Sequence, residues 1–247
     1  MELRICHLYP DVLNLYGDRG NIRCMVQRLE WRGLSAQVTE LPIGETADFS
    51  QFDLFFIGGG QDFEQGVLLD DLRRSGKAAS IRAAAADGKV FLAICGGYQM
   101  LGRSYTTWDG QGFDFIGAID VHTQGGQQRM IGNYVFRCAD ESGGHEIVGF
   151  ENHSGKTHLG SGVHPLGQVI RGYGNNGEDG TEGARWNNVF GTYSHGPVLP
   201  KNPGFCDMLL QTALDRKAPG WGILAPLEDT LENTAHTNVA KFVLGAT

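Results

Sequence analysis

The sequence predicts an α/β fold: a mostly parallel, twisted sheet flanked by helices, with an added antiparallel ribbon. In the first part of the chain, apolar runs that end in glycine alternate with amphipathic segments, as in β-α-β units. From residue 113 onward, short strand candidates are separated by glycine-rich turns, which is typical of an antiparallel ribbon. The chain has 247 residues, of which 37 are glycine, about twice the usual share and without a collagen-like period. We expect one domain over 1–247, with a tail over about 218–247 that docks on it as an extension.

The elements of the parallel sheet follow one another along the first half of the chain. We predict strands over 3–9, 34–41, 53–57 and 90–94, and helices from an Asn21 N-cap to Trp31 and over 78–86. Right-handed crossovers place the ends of the third and fourth strands on the same edge of the sheet. Open α/β sheets build their sites at that edge. The residues that follow these strands are therefore the first candidates for function.

The second half of the chain has a different sequence pattern, with short apolar segments between glycine-rich turns. We predict ribbon strands over 115–121, 132–138, 147–151 and 167–171, a turn or mobile hairpin tip over 172–183, a buried strand over 188–193, and helices over 204–215 and near 227–244.

Composition and charge exclude several classes of function. The formal net charge of −8 argues against nucleic acid as the main partner, because there is no basic stripe to neutralise phosphates. The sequence has no apolar stretch near the ~20 residues that span a bilayer and no signal-peptide pattern. Its five cysteines are an odd set without CxxC spacing, which indicates neither a disulfide framework nor a zinc site. We expect a cytoplasmic protein without a metal site.

Cys95 is the strongest candidate for a catalytic residue. The apolar run 90–94 leads into it, and Gly96 and Gly97 permit a sharp turn into a helix. Such an elbow exposes a nucleophile beside backbone N–H groups, and the positive end of the helix favours a thiolate. The commonest fate of a cysteine is a small buried core residue. Core packing does not require the Gly-Gly turn, so the pattern favours a nucleophile.

A histidine at a second strand end supplies the base that a thiol nucleophile needs. His195 follows the apolar strand 188–193 and precedes glycine and proline, which sets it apart from the other seven histidines. His153 is the second candidate, between turn residues after a weaker strand. The glycine run 58–60 could be only a loop, and the absence of a GxxxxGK[ST] motif leaves ATP binding unsupported. Opposite the elbow, that loop could instead contribute to an oxyanion hole.

Taken together, these motifs resemble the class I, triad-type glutamine amidotransferases, and within them the branch of the cobyric acid synthase glutaminase domains. The segments that carry the resemblance are 58–65, 93–99, 149–153 and 191–196. The segments 13–21 and 129–133 are similar to signatures of the stand-alone glutaminase subunits in this branch, which work with a Mur-ligase-like synthetase. The resemblance extends from residue 3 to about residue 214.

The resemblance implies hydrolysis of L-glutamine. The thiolate of Cys95 would attack the side-chain amide and form a γ-glutamyl thioester, while His195 would take the thiol proton and return one to the departing ammonia. The amides of Gly60 and Gly96 would hold the oxyanion. Gln99 and Arg129 would position the substrate, with the Arg129 guanidinium paired to its α-carboxylate.

The resemblance also implies a partner and an acceptor. Ammonia would pass to a Mur-ligase-like synthetase in a heterodimer, where ATP and Mg²⁺ activate the D-glutamate α-carboxylate of lipid II, a membrane-bound peptidoglycan precursor. The product would be D-isoglutamine, and this chain itself would need no cofactor. Two alternatives remain: a glutaminase for another acceptor, such as a corrin precursor, and a non-catalytic glutamine-binding module. A cysteine hydrolase or chaperone-like protein with the elbow is a further rival, which would not depend on the late histidine.

One position departs from the class pattern. In most class I enzymes a glutamate two residues after the base orients it, and here that position is Pro197. The branch that the chain resembles shares this gap, so the site is either a dyad or takes a carboxylate from elsewhere. Asp18 and Glu64 are the candidates. Without such a group the imidazole can adopt the wrong tautomer, which would make an enzyme that is slow until its partner activates it.

Overall fold

The computed structural model describes residues 1–60, 62–138 and 145–245. Its elements, in chain order, are β1 (Glu2–Leu8), α1 (Arg19–Glu30), β2 (Ser35–Leu41), β3 (Leu54–Ile57), α2 (Asp62–Arg74), α3 (Lys77–Ala86), β4 (Val90–Ile94), α4 (Gly96–Leu101), β5 (Ser104–Thr106), β6 (Gly112–Asp114), β7 (Val121–Cys138), β8 (Glu146–Leu159), β9 (Gly167–Arg171), β10 (Thr181–Glu182), β11 (Ala184–Trp186), β12 (Val189–Thr192), α5 (Pro203–Lys217) and α6 (Thr230–Leu244).

The main sheet has the strand order β11-β12-β4-β3-β1-β2 and is parallel except for β11 at its edge. Every residue of β3, β4 and β12 is buried, which is why these strands appear in the sequence as continuous apolar runs. Two pairs of helices flank the sheet, since α1 packs against α5 and α2 packs against α3. The predicted fold class is confirmed. The carboxyl ends of β1, β3, β4 and β12 lie along one edge.

The second sheet is the predicted ribbon, and it is longer than the sequence indicated. Its order is β10-β9-β7-β5-β6, with β8 paired antiparallel to β7. β7 has 18 residues and β8 has 14, and their register shifts between Gly125 and Met130. Buried ribbon side chains, including Tyr134 and Phe136, belong to the same hydrophobic cluster as the main sheet. The ribbon is therefore held against the sheet edge through shared core.

Several local predictions were wrong. The predicted strand over 115–121 is almost entirely a connection between β6 and β7. Helix α2 had no counterpart in the prediction. Asn21 does not cap α1, because that helix begins at Arg19; its side chain is buried and accepts a hydrogen bond from the Leu199 N–H at 2.9 Å. Its polar character serves a contact between elements and not the helix start.

The segment 172–183, predicted as a turn or a mobile hairpin tip, forms turns that are packed into the protein. Asn175, Asn176 and Glu182 are buried, and the Asn175 amide donates to the Gly183 carbonyl oxygen at 2.9 Å. A Cβ at Gly174 would lie 2.3 Å from the Thr181 carbonyl oxygen. The glycines here permit close backbone approach, which is a different reason for glycine than flexibility.

Ion pairs around the buried Arg28 hold the start of the tail. Arg28 of α1, 2% exposed, donates to Asp207 of α5 and to Asp229 just before α6, each at 2.7 Å. Helix α6 packs on β7 and β8. Within the described part of the chain, no helix combines the length and apolar character needed to cross a membrane.

Candidate active site

Cys95 lies on a sharp turn between β4 and α4. Its backbone has φ 46° and ψ −106°, a conformation that L-residues rarely adopt, and its side chain is 6% exposed. The Cys95 N–H donates to the Thr192 carbonyl oxygen at 2.8 Å, and its own carbonyl oxygen accepts the Gln99 N–H at 2.9 Å. These two bonds fix the turn from both sides. The thiol therefore sits at the carboxyl edge of the sheet, as the sequence pattern predicted.

His195 reaches the same edge from the neighbouring strand. β12 pairs with β4 in parallel, with Thr192 opposite Ile94, so the chain places His195 beside the cysteine turn. The His195 N–H donates to the Phe150 carbonyl oxygen of β8 at 2.8 Å. The imidazole is fully buried. The main sheet and the ribbon thus hold the histidine jointly.

A buried carboxylate lies behind the imidazole. Asp18 Oδ2 is 3.6 Å from His195 Nδ1 and accepts the Gly59 N–H at 2.7 Å. Both side chains are fully buried. Burial alone would lower the pKa of His195, yet the negative charges of Cys95 and Asp18 raise that pKa to about 10. The groups around His195 therefore favour its protonated form, an imidazolium.

Pro197 packs against the helix start that follows Asp18. It stands where most class I enzymes have a glutamate, and it packs against the first turn of α1: a Cβ at Gly20 would lie 2.4 Å from Pro197 Cγ. That contact holds the start of α1, and so Asp18, next to the histidine loop. Of the two carboxylates suggested from the sequence, the structure brings Asp18 to the imidazole. The Glu64 side chain lies outside the part of the chain that the structure describes.

The glycine loop after β3 faces the cysteine turn. A Cβ at Gly96 would lie 3.0 Å from the backbone nitrogen of Gly60, so the two peptides are neighbours. A Cβ at Gly97 would lie 2.6 Å from Ile57 Cγ2 and 2.7 Å from the Gly58 carbonyl oxygen. The loop and the turn approach each other because neither carries a side chain there. The predicted oxyanion donors Gly60 and Gly96 are thus brought together.

The site opens into a cavity of about 330 Å³. Its wall includes Leu15, Tyr16, Gly60, Cys95, Gln99, Arg129, Asn152, His153, Ser154 and Gly155. Gln99 donates to the Tyr193 hydroxyl at 3.0 Å, and burial raises the pKa of Tyr193 far above its usual range, so that hydroxyl stays neutral. Arg129 is exposed at the mouth, and its Nε donates to Asn152 Oδ1 at 2.6 Å. A small polar molecule would meet a cation at the mouth and the thiol within.

His153, the second candidate for the base, has a different environment. It is buried and stacks on Tyr193 with ring centroids 3.6 Å apart, and its Nδ1 contacts the Gly155 carbonyl oxygen at 2.8 Å.

Sequence reasoning missed Tyr16 and Asn152 as cavity residues. Both had a signal, since Tyr16 lies in the segment 13–21 and Asn152 in the segment 149–153, which support the family resemblance. Among the described residues, no group of three His, Cys, Asp or Glu side chains is placed to hold a metal ion.

The sheet and the thiol–imidazole pair on its carboxyl edge together define a class I-type amidotransferase site. The chain belongs to the CobB/CobQ-like glutamine amidotransferase domain family, which matches residues 4–203. It is 44% identical over 216 residues to the "Lipid II isoglutaminyl synthase (glutamine-hydrolyzing) subunit GatD" of Staphylococcus aureus, covering 87% of this chain and 86% of that protein. A subunit of the same name from Streptococcus pneumoniae is 39% identical, covering 87% and 82%.

A solved structure agrees with the fold. The crystal structure of a glutamine amidotransferase from Thermotoga maritima superposes with a TM-score of 0.54 at 12% identity, covering 99% of this chain and 93% of that one. At this identity the likeness concerns the fold alone. The family membership rests on the sequence matches, which agree with the resemblance that the motifs indicated.

Proposed function

We propose that this chain is the glutamine-hydrolysing subunit of a lipid II isoglutaminyl synthase, acting in the cytoplasm with a Mur-ligase-like synthetase. The observation that carries the proposal is that Cys95 and Arg129 line one small cavity, with the buried His195 and Asp18 next to the cysteine. A thiol nucleophile, a base and a cation that can bind a carboxylate are the groups needed for acyl transfer from an amide that also carries a carboxylate. The high identity to the GatD subunits over most of both chains supports the acceptor.

The geometry accounts for the steps of the reaction. The Cys95 thiolate attacks the side-chain carbonyl carbon of L-glutamine, and the N–H groups of Gly60 and Gly96 stabilise the oxyanion. The imidazolium of His195 donates a proton to the nitrogen as the C–N bond breaks, which releases ammonia and leaves a thioester. The neutral imidazole then takes a proton from water, whose attack on the thioester releases glutamate and restores the thiolate.

Asp18 and Arg129 have supporting roles in this proposal. The Asp18 carboxylate keeps the proton of the imidazole on Nδ1 and stabilises its positive charge, as an orienting carboxylate does in a triad. The Arg129 guanidinium binds the α-carboxylate of glutamine, and Gln99 forms the adjoining wall. Ammonia passes to the synthetase, on which ATP and Mg²⁺ activate the D-glutamate carboxylate of lipid II.

Glutamate release from L-glutamine tests the proposal, with the chain alone and with the co-expressed Mur-ligase-like synthetase. We expect release that Cys95→Ser abolishes and that Cys138→Ser, a change at another buried cysteine, leaves intact. Adding ATP and lipid II to the complex should yield D-isoglutamine, and ammonium chloride should restore this amidation in the Cys95→Ser complex. Absence of glutamate release from the folded protein in both states would contradict the proposal.

A further inference from the structure

Tyr16 has a strained backbone beside the candidate site. It adopts φ 56° and ψ 22°, in the left-handed region that residues other than glycine rarely adopt. The flanking residues hold it there: the Leu15 N–H donates to the Gly59 carbonyl oxygen at 3.1 Å, and Asp18 accepts the Gly59 N–H. Backbone strain that neighbouring bonds maintain is a signal of function when the side chain meets an active site.

The ring of Tyr16 covers the base. Its centroid lies 4.9 Å from that of His195, edge to face, and 5.6 Å from that of Phe150. His195 is fully buried, whereas Tyr16 is 46% exposed. The Tyr16 ring therefore lies between the imidazole and solvent on the side of the cavity mouth.

The hydroxyl of Tyr16 is linked to the cation at the cavity mouth. It accepts a hydrogen bond from Asn152 Nδ2, and Asn152 Oδ1 accepts one from Arg129 Nε. We call Tyr16, Asn152 and Arg129 the mouth bridge. The donation from Nε fixes the plane of the guanidinium and leaves its terminal nitrogens for a bidentate contact with a carboxylate. The loop that carries Tyr16 thus contacts His195 directly and is linked to Arg129 through Asn152.

We propose that Tyr16 is a positioning residue with two separable roles: its hydroxyl, through Asn152, orients Arg129 toward the α-carboxylate of the amino-acid substrate, and its ring holds and shields His195. The inference rests on the proposed function for the identity of the substrate. It adds that recognition of the carboxylate is built from the same loop that carries Asp18. Loss of the hydroxyl should weaken substrate binding, and loss of the ring should in addition slow turnover.

Two reagents that alkylate Cys95 test the first role without requiring turnover. A diazomethyl ketone analogue of L-glutamine carries the α-amino acid group, and iodoacetamide does not. We expect Tyr16→Phe and Asn152→Ala each to slow labelling by the analogue about 5- to 10-fold, the effect of one ordinary hydrogen bond. The effect on labelling by iodoacetamide should be much smaller. Tyr173→Phe is the matched control, since Tyr173 is 43% exposed and lies outside the mouth bridge. Labelling is followed by mass spectrometry of the Cys95 peptide.

Steady-state kinetics of the complex test both roles together. Tyr16→Phe should raise the KM for L-glutamine about 5- to 10-fold, whereas Tyr16→Leu should also lower kcat by about 10-fold. The double variant Tyr16→Phe/Asn152→Ala should be no worse than either single variant, because both break one bridge. Equal slowing of both labelling reagents, or no slowing of either, would overturn the inference. If the analogue discriminates but wild-type protein hydrolyses no glutamine, the proposed function fails while the mouth bridge stands.

Discussion

Asp18→Asn is the sharpest test of the site, because it removes a charge and preserves the shape. The asparagine amide oxygen can take the place of Oδ2 and still accept the Gly59 N–H. The start of α1 should therefore stay in place. What is lost is the negative charge 3.6 Å from His195 Nδ1.

The size of the effect follows from that distance. Two unit charges 3.6 Å apart interact by about 4.6 kcal/mol at an effective dielectric constant of ~20. The Gly59 N–H already compensates part of the carboxylate charge, so we expect about 2–3 kcal/mol to reach the transition state, or about 30- to 150-fold in kcat/KM. The pKa of His195 should fall from about 10 toward its ordinary value, because one of the two anions that raise it is gone.

The assay combines kinetics with titration. Glutamate release gives kcat/KM for wild type, Asp18→Asn and the control Asp11→Asn, which alters an exposed carboxylate in the same connection. NMR of the labelled imidazole gives the pKa of His195. The raised pKa of His195 stabilises the fold below the unfolded value of about 6.5, and this contribution is lost as pH rises from there through the folded value. Asp18→Asn should therefore lose less stability between neutral and alkaline pH, and the loss should end at a lower pH than in wild type.

Two results would refute the reasoning. If Asp18→Asn retains wild-type kcat/KM while the pKa of His195 falls, the carboxylate sets the charge of the imidazole without contributing to turnover. If neither quantity changes, Asp18 does not act on His195 at all, and the pair is a dyad.

Three further predictions concern the surroundings of the site. Burial raises the pKa of Glu182 to about 7. Because the unfolded chain releases this proton at lower pH, wild-type protein should lose about 3 kcal/mol of stability between pH 4.5 and 7, measured by urea unfolding. Glu182→Gln should flatten this part of the pH–stability curve, and an unchanged slope would contradict a protonated Glu182 in the folded protein. Gly59→Ala places a Cβ 2.4 Å from His195 Cε1, so glutaminase kcat should fall by 10-fold or more while far-UV circular dichroism stays native; wild-type kcat would show that the imidazole has room to move. Arg28→Met leaves Asp229 without its cation, while Asp207 keeps its ion pair with Arg32. Denaturant titration should show a loss of about 1.5–3 kcal/mol, and an unchanged free energy of unfolding would show that the cluster contributes nothing to stability.

The nucleophile and its glycines could be predicted because their signal is local. An apolar run followed by Cys95, Gly96 and Gly97 specifies a buried strand and a tight turn within a few residues, and the same holds for the strand that ends before His195. The contact of Asp18 with His195 has no such signal, since it depends on how α1 meets the loop after β12. The sequence could name Asp18 only as one of two candidates.

The parts that escaped prediction depend on tertiary contacts. Asn152 reaches Arg129 only through the register of β7 against β8, in which Ile131 lies opposite Asn152. The glycines of 172–183 were interpreted as signs of a turn or a mobile tip, and in the structure Gly174 and Gly183 allow backbones to pack closely. Glycine content alone does not distinguish a loose turn from a tightly packed one.

The conformation of Cys95 has a consequence for how this protein withstands heat. A backbone at φ 46° suits glycine far better than cysteine, and holding a side chain there costs of order 1–3 kcal/mol. Cys95→Gly removes this backbone strain, so we expect that variant to be more thermally stable than wild type while lacking the nucleophile. A screen of random variants for thermal tolerance alone would therefore favour the loss of the reactive sulfur, and only a screen that also scores chemistry would retain it.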